Sequence, residues 1–208
     1  MKEMKFDKSA VVYDSGVRGK ASQKFYNLLL QEIRLQPNAV ILDVGCGTGF
    51  LLGRISNTFT ISGYGIDAEE AMILQARKQC PQMQFTTASC DRLPFERNTF
   101  DAVIACMAYH HFANKKGFAC EAARVLKPGG VLYIVDPRFP WIIRKAMNGI
   151  LRLISVVGEF YAPREIETKF IPHGFIGLGS ATDVYVQVIK LQKKRNDDDT
   201  NLQSSLIV

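Results

Sequence analysis

Residues 41–50 read ILDVGCGTGF: an apolar run, an acid at Asp43, then Gly45, Gly47 and Gly49. This is the pattern of a buried strand that turns sharply into a helix and brings bare backbone toward something small and polar. A phosphate, a nicotinamide dinucleotide or an adenosine without phosphate are the ligands such a turn serves. A dinucleotide fingerprint, G-x-G-x-x-G, needs its third glycine where this chain has Phe50, which weakens that reading. A triphosphate loop needs Lys followed by Ser or Thr, and Phe50, Leu51 and Leu52 supply neither. A second acid, Asp67, follows at the roughly twenty-residue offset that sets a carboxylate beside a ribose, where it accepts both hydroxyls. Asp43 is placed to meet an amino group or to orient the loop. A zwitterionic ligand with an adenosine and no pyrophosphate fits both acids; the alternative is a glycine turn used only for tight packing.

A second constellation follows the apolar stretch FDAVIAC, residues 100–106, which delivers Met107, Ala108, Tyr109, His110 and His111 to the edge where α/β sheets bind ligands. An imidazole titrates near neutrality, so His110 or His111 can take a proton from a phenol, carboxylic acid or amine, or either can be structural. His173, in IPHGF, reads as a turn residue. The five cysteines are scattered and odd in number, so neither a disulfide framework nor a metal site is expected. Cys90 and Cys106 read as small packing residues.

The elements that carry these residues alternate in type. Residues 21–35 form a helical stripe through Phe25, Leu28, Leu29 and Ile33. Strands are expected at 39–44, 61–66, 84–87, 100–106 and 131–135, and helices at 49–56, 69–78 and 115–126. The last of these helices is closed by Lys127-Pro128-Gly129-Gly130. Uniformly apolar strands linked by helices require a parallel sheet covered on both faces, so the fold class is α/β, doubly wound. Beyond Asp136 come an apolar, helix-like run within 137–163, a helix over 164–171, and strands at 175–178 and 184–191 that close as an antiparallel hairpin. The tail from 193 to 208, with KKRNDDDT, is expected to be poorly ordered.

At 208 residues, 47% hydrophobic and 22% charged, the chain suits one globular domain over residues 1–192. A net charge of +6 and a pI near 9.1 are too mild to argue for nucleic acid. No N-P-P-Y-like segment for gripping a flipped base follows residue 104 either. The opening MKEMKFDKSA lacks a secretory apolar region, and free cysteines suit a reducing cytoplasm.

Four blocks in order, LDVGCGTGF, GYGIDAEEAMILQAR, DRLPFERNTFDAVIACMAYHHF and EAARVLKPGGVLYIVD, resemble the class I S-adenosylmethionine-dependent methyltransferases, especially the small-molecule branch of the ubiquinone and menaquinone methylases. The resemblance runs from about residue 38 to 136. It implies a Rossmann-like, mostly parallel seven-stranded sheet, with S-adenosylmethionine as cofactor and S-adenosylhomocysteine as product. It implies that Gly45, Cys46 and Gly47 present backbone to the methionine part, with Asp43 near its amino group. Asp67 would hold the ribose, Ala68 and Met72 would flank the adenine, and Ala105 and Met107 would complete the cofactor site. Where the family has G-D-A-E-x-L-P-F, this chain has Ser89, Cys90 and Asp91 before Leu93-Pro94-Phe95, so either Ser89 or Asp91 meets the adenine amino group, while Cys90 offers its N–H. FDKSAVVYDSG resembles the family's opening, which makes Tyr13 either a lid over the cofactor or an anchor for the N-terminus.

Methyl transfer from a sulfonium is an in-line displacement, so alignment and exclusion of water dominate, and a base is needed only for a protonated acceptor. The segment 137–163 lies where the family builds its substrate cover. Trp141, Ile142, Ile143, Met147, Ile150, Leu151 and Ile154 are expected to line a pocket for a hydrophobic acceptor, with Arg144, Lys145 and Arg152 recruiting an anion or a peripheral membrane surface; a buried helix over the sheet or a dimer contact is the other reading. Three functions remain: a methyltransferase acting on a small hydrophobic or aromatic molecule, as monomer or homodimer; an inactive cofactor-binding subunit; and a nicotinamide oxidoreductase, which lacks a Tyr-x-x-x-Lys pair here.

Overall fold

The computed structural model describes residues 17–195. Six α-helices, α1 (Val17–Glu32), α2 (Phe50–Ser56), α3 (Glu70–Gln79), α4 (Lys115–Val125), α5 (Trp141–Leu153) and α6 (Pro163–Phe170), accompany one sheet. Its strands are β1 (Ala39–Val44), β2 (Ile61–Asp67), β3 (Gln84–Thr87), β4 (Phe100–Cys106), β5 (Leu126–Pro137), β6 (Phe175–Asp183) and β7 (Val186–Lys193). The order across the sheet is β3-β2-β1-β4-β5-β7-β6. The first five strands pair in parallel, while β7 pairs antiparallel with both β5 and β6.

Apolar side chains on both faces of the central strands demand two covers. Ile41, Ile104 and Cys106 pack with Phe25, Leu29 and Ile33, contributed by α1 and the residue after it, and with Leu52 and Ile73 of α2 and α3. Leu42, Val44, Val103 and Ala105 point the other way, against Phe118 and Ala122 of α4 and Ile166 and Phe170 of α6. From β1 the chain builds outward to β3, then returns to the centre for β4. That reversal opens a crevice beyond the carboxyl ends of β1 and β4, where Asp43 and the loop after it lie.

The doubly wound, mostly parallel sheet with an antiparallel closing hairpin is as expected from the sequence, with four differences in detail. Residues 127–130 belong to β5 as an irregularity in its pairing with β4, Phe100 with Leu126 and then Ala102 with Val131, so β5 starts five residues earlier than expected. Strand β6 continues through GLGSAT to Asp183, because main-chain bonds to β7 need no apolar alternation at a mostly exposed edge. Lys193 belongs to β7 rather than to the tail. Its ammonium donates to the Leu126 carbonyl and to Asn98 Oδ1, contacts distant in sequence that no local charge pattern reveals.

The fourth difference concerns 137–163. Arg144 is the one buried residue of helix α5. Of the apolar residues expected to line a pocket, Trp141, Ile142, Ile143, Ile150 and Ile154 are exposed and Met147 and Leu151 half-buried, and none of them lines the crevice. Arg144 is occupied by an ion pair with Glu165, whose carboxylate also accepts the Ala162 N–H at the start of α6.

Phe100 anchors the far side of β4. It is fully buried and meets Tyr64 and Phe95 edge-on, at 5.5 and 5.0 Å between ring centres. Phe100→Ala is expected to cost about 3–5 kcal/mol, read as a lowered midpoint in urea with an unchanged slope.

Candidate active site

The crevice is a cavity of about 480 Å³. The loop that floors it is tied down by main chain: the Gly45 and Cys46 N–H groups both donate to the Ile66 carbonyl, at 2.8 and 2.9 Å. Gly45 has φ 78°, and a Cβ there would fall 2.6 Å from that of Ala108, so only glycine lets the loop pass the β4 edge. Gly47, at φ 53°, has nothing within 4 Å of where a Cβ would stand, so its bare backbone faces open space.

Two carboxylates sit beside this loop. Asp67, at the end of β2, accepts the Gly47 N–H on Oδ2 at 2.9 Å and the Glu69 N–H on Oδ1 at 3.0 Å. It therefore clamps the glycine loop to the start of the next helix while each oxygen retains a lone pair for a ligand. Burial raises its pKa, and the N–H bonds partly restore the charged form. Asp43 is almost wholly buried and its Oδ1 has no hydrogen-bond partner. Burial, reinforced by the negative charge of Asp67, pushes its carboxyl up to about 8.

The opposite wall comes from the loop after β3. Ser89 Oγ donates to Asp91 Oδ1 at 2.5 Å, and Asn114 Nδ2 donates to Asp91 Oδ2 at 2.8 Å. These bonds hold the Asp91 carboxyl below its ordinary range. Asn114 also caps α4 by accepting the Gly117 N–H, so one side chain fixes both the helix start and the acid. The serine proton is already engaged, which leaves Asp91 as the charged acceptor on this wall.

At the mouth, His110 and His111 occupy a short 3-10 turn after β4. His110 is buried; its Nδ1 lies 2.9 Å from Oδ1 of Asp136, at the end of β5. With Asp136 ionised, Nδ1 carries the proton and Nε2 is the accepting nitrogen. Phe160 stacks on the His110 ring at 5.0 Å, and the His110 carbonyl accepts the Glu159 N–H. His111 is half-exposed, 3.9 Å from His110 ring to ring. Burial, followed by nearby Asp43, pushes the Cys46 and Cys106 thiols well above their usual range, and burial lifts Cys90 to about 11. None of the three is a thiolate at neutral pH.

The cavity thus gathers Asp43, Gly45, Cys46, Gly47, Asp67, Ala68, Met72, Ser89, Cys90, Asp91, Met107, His110 and His111. Ala105 is not among them: it points into the opposite core layer, and the alternation along β4 presents Cys106 instead. Tyr13 lies outside the described residues; Tyr26, from α1, is a tyrosine that reaches the cavity and packs near Phe50. Sequence reasoning passed over Tyr26, Thr48, Asn114, Val157 and the Asp136 partner of His110. The last had a signal: an acid directly after an apolar strand, the same placement that singled out Asp43 and Asp67.

Comparison with known proteins agrees with this geometry. Residues 42–134 match the family model described as "Methyltransferase domain". The demethylmenaquinone methyltransferase of Tropheryma whipplei (strain Twist) is 37% identical over 126 residues, covering 55% of this chain and 52% of that protein. The chain spans about half the length of the curated relatives it matches. Among solved structures, a Haloferax volcanii protein in complex with the Trm112 methyltransferase activator superposes with a TM-score of 0.78 at 19% identity, over 92% of this chain and 98% of that one. A SAM-dependent methyltransferase from Methanosarcina mazei gives 0.69 at 18% identity, over 80% and 98%. Residues 42–134 are thus similar to a methyltransferase domain, the chain shares its fold with methyltransferase structures, and its sequence resembles the demethylmenaquinone methyltransferases.

Proposed function

We propose that this chain transfers a methyl group from S-adenosylmethionine to a small hydrophobic or aromatic acceptor in a reducing compartment such as the cytoplasm. One observation carries the reading: in a protein of net charge +6, the described residues lining the cavity include Asp43, Asp67, Glu69 and Asp91, and neither Lys nor Arg. Such a cavity repels pyrophosphate and attracts a cation. The unpartnered Asp43 oxygen fits an ammonium, and the open backbone of Gly47 fits a methionine chain laid against it. In this reading Asp67 holds the ribose, Ala68 and Met72 flank the adenine, and Asp91 accepts from its amino group.

When bound, S-adenosylmethionine supplies a methyl group made electrophilic by its sulfonium. The chemistry it would supply is an in-line displacement in which the sulfur would keep the electron pair of the bond it gives up, so this chain's residues need only hold and align the acceptor. The protein aligns the acceptor and excludes water with Met107, Ala108, Phe112 and Val157, which give the mouth its apolar character. For a protonated acceptor, His110 Nε2 takes the proton and Asp136 stabilises the resulting imidazolium. The relatives named for demethylmenaquinone make hydroquinones the first acceptors to try.

Calorimetric titration with S-adenosylhomocysteine and with NADH, then radiolabelled methyl transfer to hydroquinones, phenols and carboxylates, tests the reading. Tight binding of the first ligand alone and label in one acceptor class are expected; NADH binding in preference would overturn it. Asp67→Ala is expected to weaken S-adenosylhomocysteine binding at least tenfold and, by releasing the Gly47 and Glu69 N–H groups, to cost about 1–3 kcal/mol in urea.

Asp43 gives a pH signature. The unfolded carboxyl ionises near 3.8 and the folded one near 8, so the native state binds the extra proton between them and stability falls as pH rises through that window. Asp43→Asn is expected to flatten this decline. An ammonium bound beside Asp43 favours its carboxylate, so binding below pH 8 expels a proton. Titration at pH 7 in buffers of different ionisation enthalpy is expected to show that release in the wild type and not in the variant; equal values would remove the ammonium from Asp43.

The histidines separate by rate. His110→Ala and Asp136→Asn are expected to slow transfer to a phenolic acceptor by about 10²–10⁴ and to spare a thiolate, with His111→Ala milder. A large loss in His111→Ala beside a normal Asp136→Asn would move the base to His111.

A further inference from the structure

Helix α5 is docked inside out. Arg144, Asn148 and Arg152 recur every four residues along one face, and that face is the one held to the protein. Arg144 pairs with Glu165, and Asn148 both donates to and accepts from the Phe160 main chain at 2.9 Å. Arg152 donates to Glu159 at 2.6 Å. The opposite face is apolar and turned to solvent: Ile142 is 71% exposed, Ile150 57%, Leu153 84% and Ile154, just past the helix, 57%. Surface helices of soluble domains bury the apolar stripe and hydrate the polar one. Here specific hydrogen bonds and ion pairs hold the reverse arrangement.

We propose that this face docks on an anionic lipid bilayer. Its composition selects that occupant. Helix α5 carries no acid; Arg144 and Arg152 are paired on the docked face, while Lys145, and Arg138 just before the helix, stand exposed. The nearby Glu159 and Glu165 are already paired with Arg152 and Arg144. An exposed apolar stripe accompanied by the exposed cations Lys145 and Arg138 is what a negatively charged surface with a hydrocarbon interior receives. Trp141, at the start of the helix and 65% exposed, has the amphipathic ring that settles at the boundary of water and hydrocarbon. The helix is about 20 Å long, and among the described residues no helix is long and apolar enough to cross a membrane, so the contact lies in the plane of the surface.

The same segment leads to the cavity. Val157, four residues beyond the helix, lines it, and the Glu159 N–H donates to the His110 carbonyl. Docking through α5 would set the cavity mouth near the bilayer, where an acceptor dissolved in lipid could enter; this last step rests on the methyl-transfer reading, whereas the docking does not.

The test is flotation of the full chain with vesicles of phosphatidylcholine alone and of phosphatidylcholine with phosphatidylglycerol, read alongside fluorescence of Trp141, the one tryptophan in the sequence. Binding to the anionic vesicles, a blue shift of the emission and release by high salt are expected. Ile142→Glu combined with Leu153→Glu is expected to lower partitioning at least tenfold with S-adenosylhomocysteine affinity unchanged, since neither residue lines the cavity. Absence of flotation and of any shift would overturn the proposal. So would a wild-type dimer by light scattering that the double substitution converts to monomer without vesicle binding, which would assign the face to a second copy. Flotation without affinity for S-adenosylhomocysteine would leave the docking standing and remove the methyl-transfer reading.

Discussion

Two carboxylates at the ends of adjacent parallel strands, with neither Lys nor Arg among the described residues lining the cavity they share, set the character of this molecule. Burial strips Asp43 of the water that would hold its charge, and the negative charge of Asp67 adds to that penalty. The fold tolerates Asp67 because two backbone N–H groups neutralise much of its field, and in return the carboxylate fixes the glycine loop. Asp43 has no comparable support on Oδ1 and resolves the conflict by holding a proton. A cation delivered to the cavity would relieve what the protein itself leaves unrelieved. Ligand affinity and the pH dependence of folding thus have a common origin in one side chain.

The acids were legible in the sequence because their positions follow from strand geometry. An apolar run ending in Asp says that the residue stands where a parallel strand leaves the sheet, and parallel sheets bind ligands at that edge. The glycines were legible for a related reason: a positive φ or a Cβ collision leaves few alternatives, as at Gly45. Asp136 obeys the same rule, but its importance depends on His110, 26 residues earlier, and only the pairing of β4 with β5 brings the two together. Tyr26 and Asn114 were not legible at all. One comes from a helix whose stripe predicts burial and nothing about the cavity, and the other reads locally as a helix cap.

Strand boundaries failed where main-chain bonding replaced side-chain pattern. Phe175–Asp183 contains two glycines and little alternation, yet β7 supplies a partner on either side of a bulge at Leu178, and an exposed edge asks nothing of its side chains. Lys193 illustrates the converse. Its charge suggested a solvated tail, whereas the ammonium is held by the Leu126 carbonyl and Asn98, and its aliphatic stem lets the strand continue.

The 137–163 segment shows the deeper limit of pattern reading. Periodicity reports that a helix has two unlike faces and is silent on which one meets the protein. The default assignment, apolar face inward, follows from the hydrophobic effect acting within one chain in water. In α5 that default loses because the neighbouring loop offers Glu159, Glu165 and the Phe160 main chain, partners that the polar face can satisfy and the apolar face cannot. An arginine as buried as Arg144, 7% exposed, would be costly without its carboxylate, and rotating the helix to hide its isoleucines would give up that ion pair together with the two Asn148 bonds to Phe160. The exposed stripe is consequently a stable product of local pairing rather than a packing defect, and it persists until a surface outside the chain covers it.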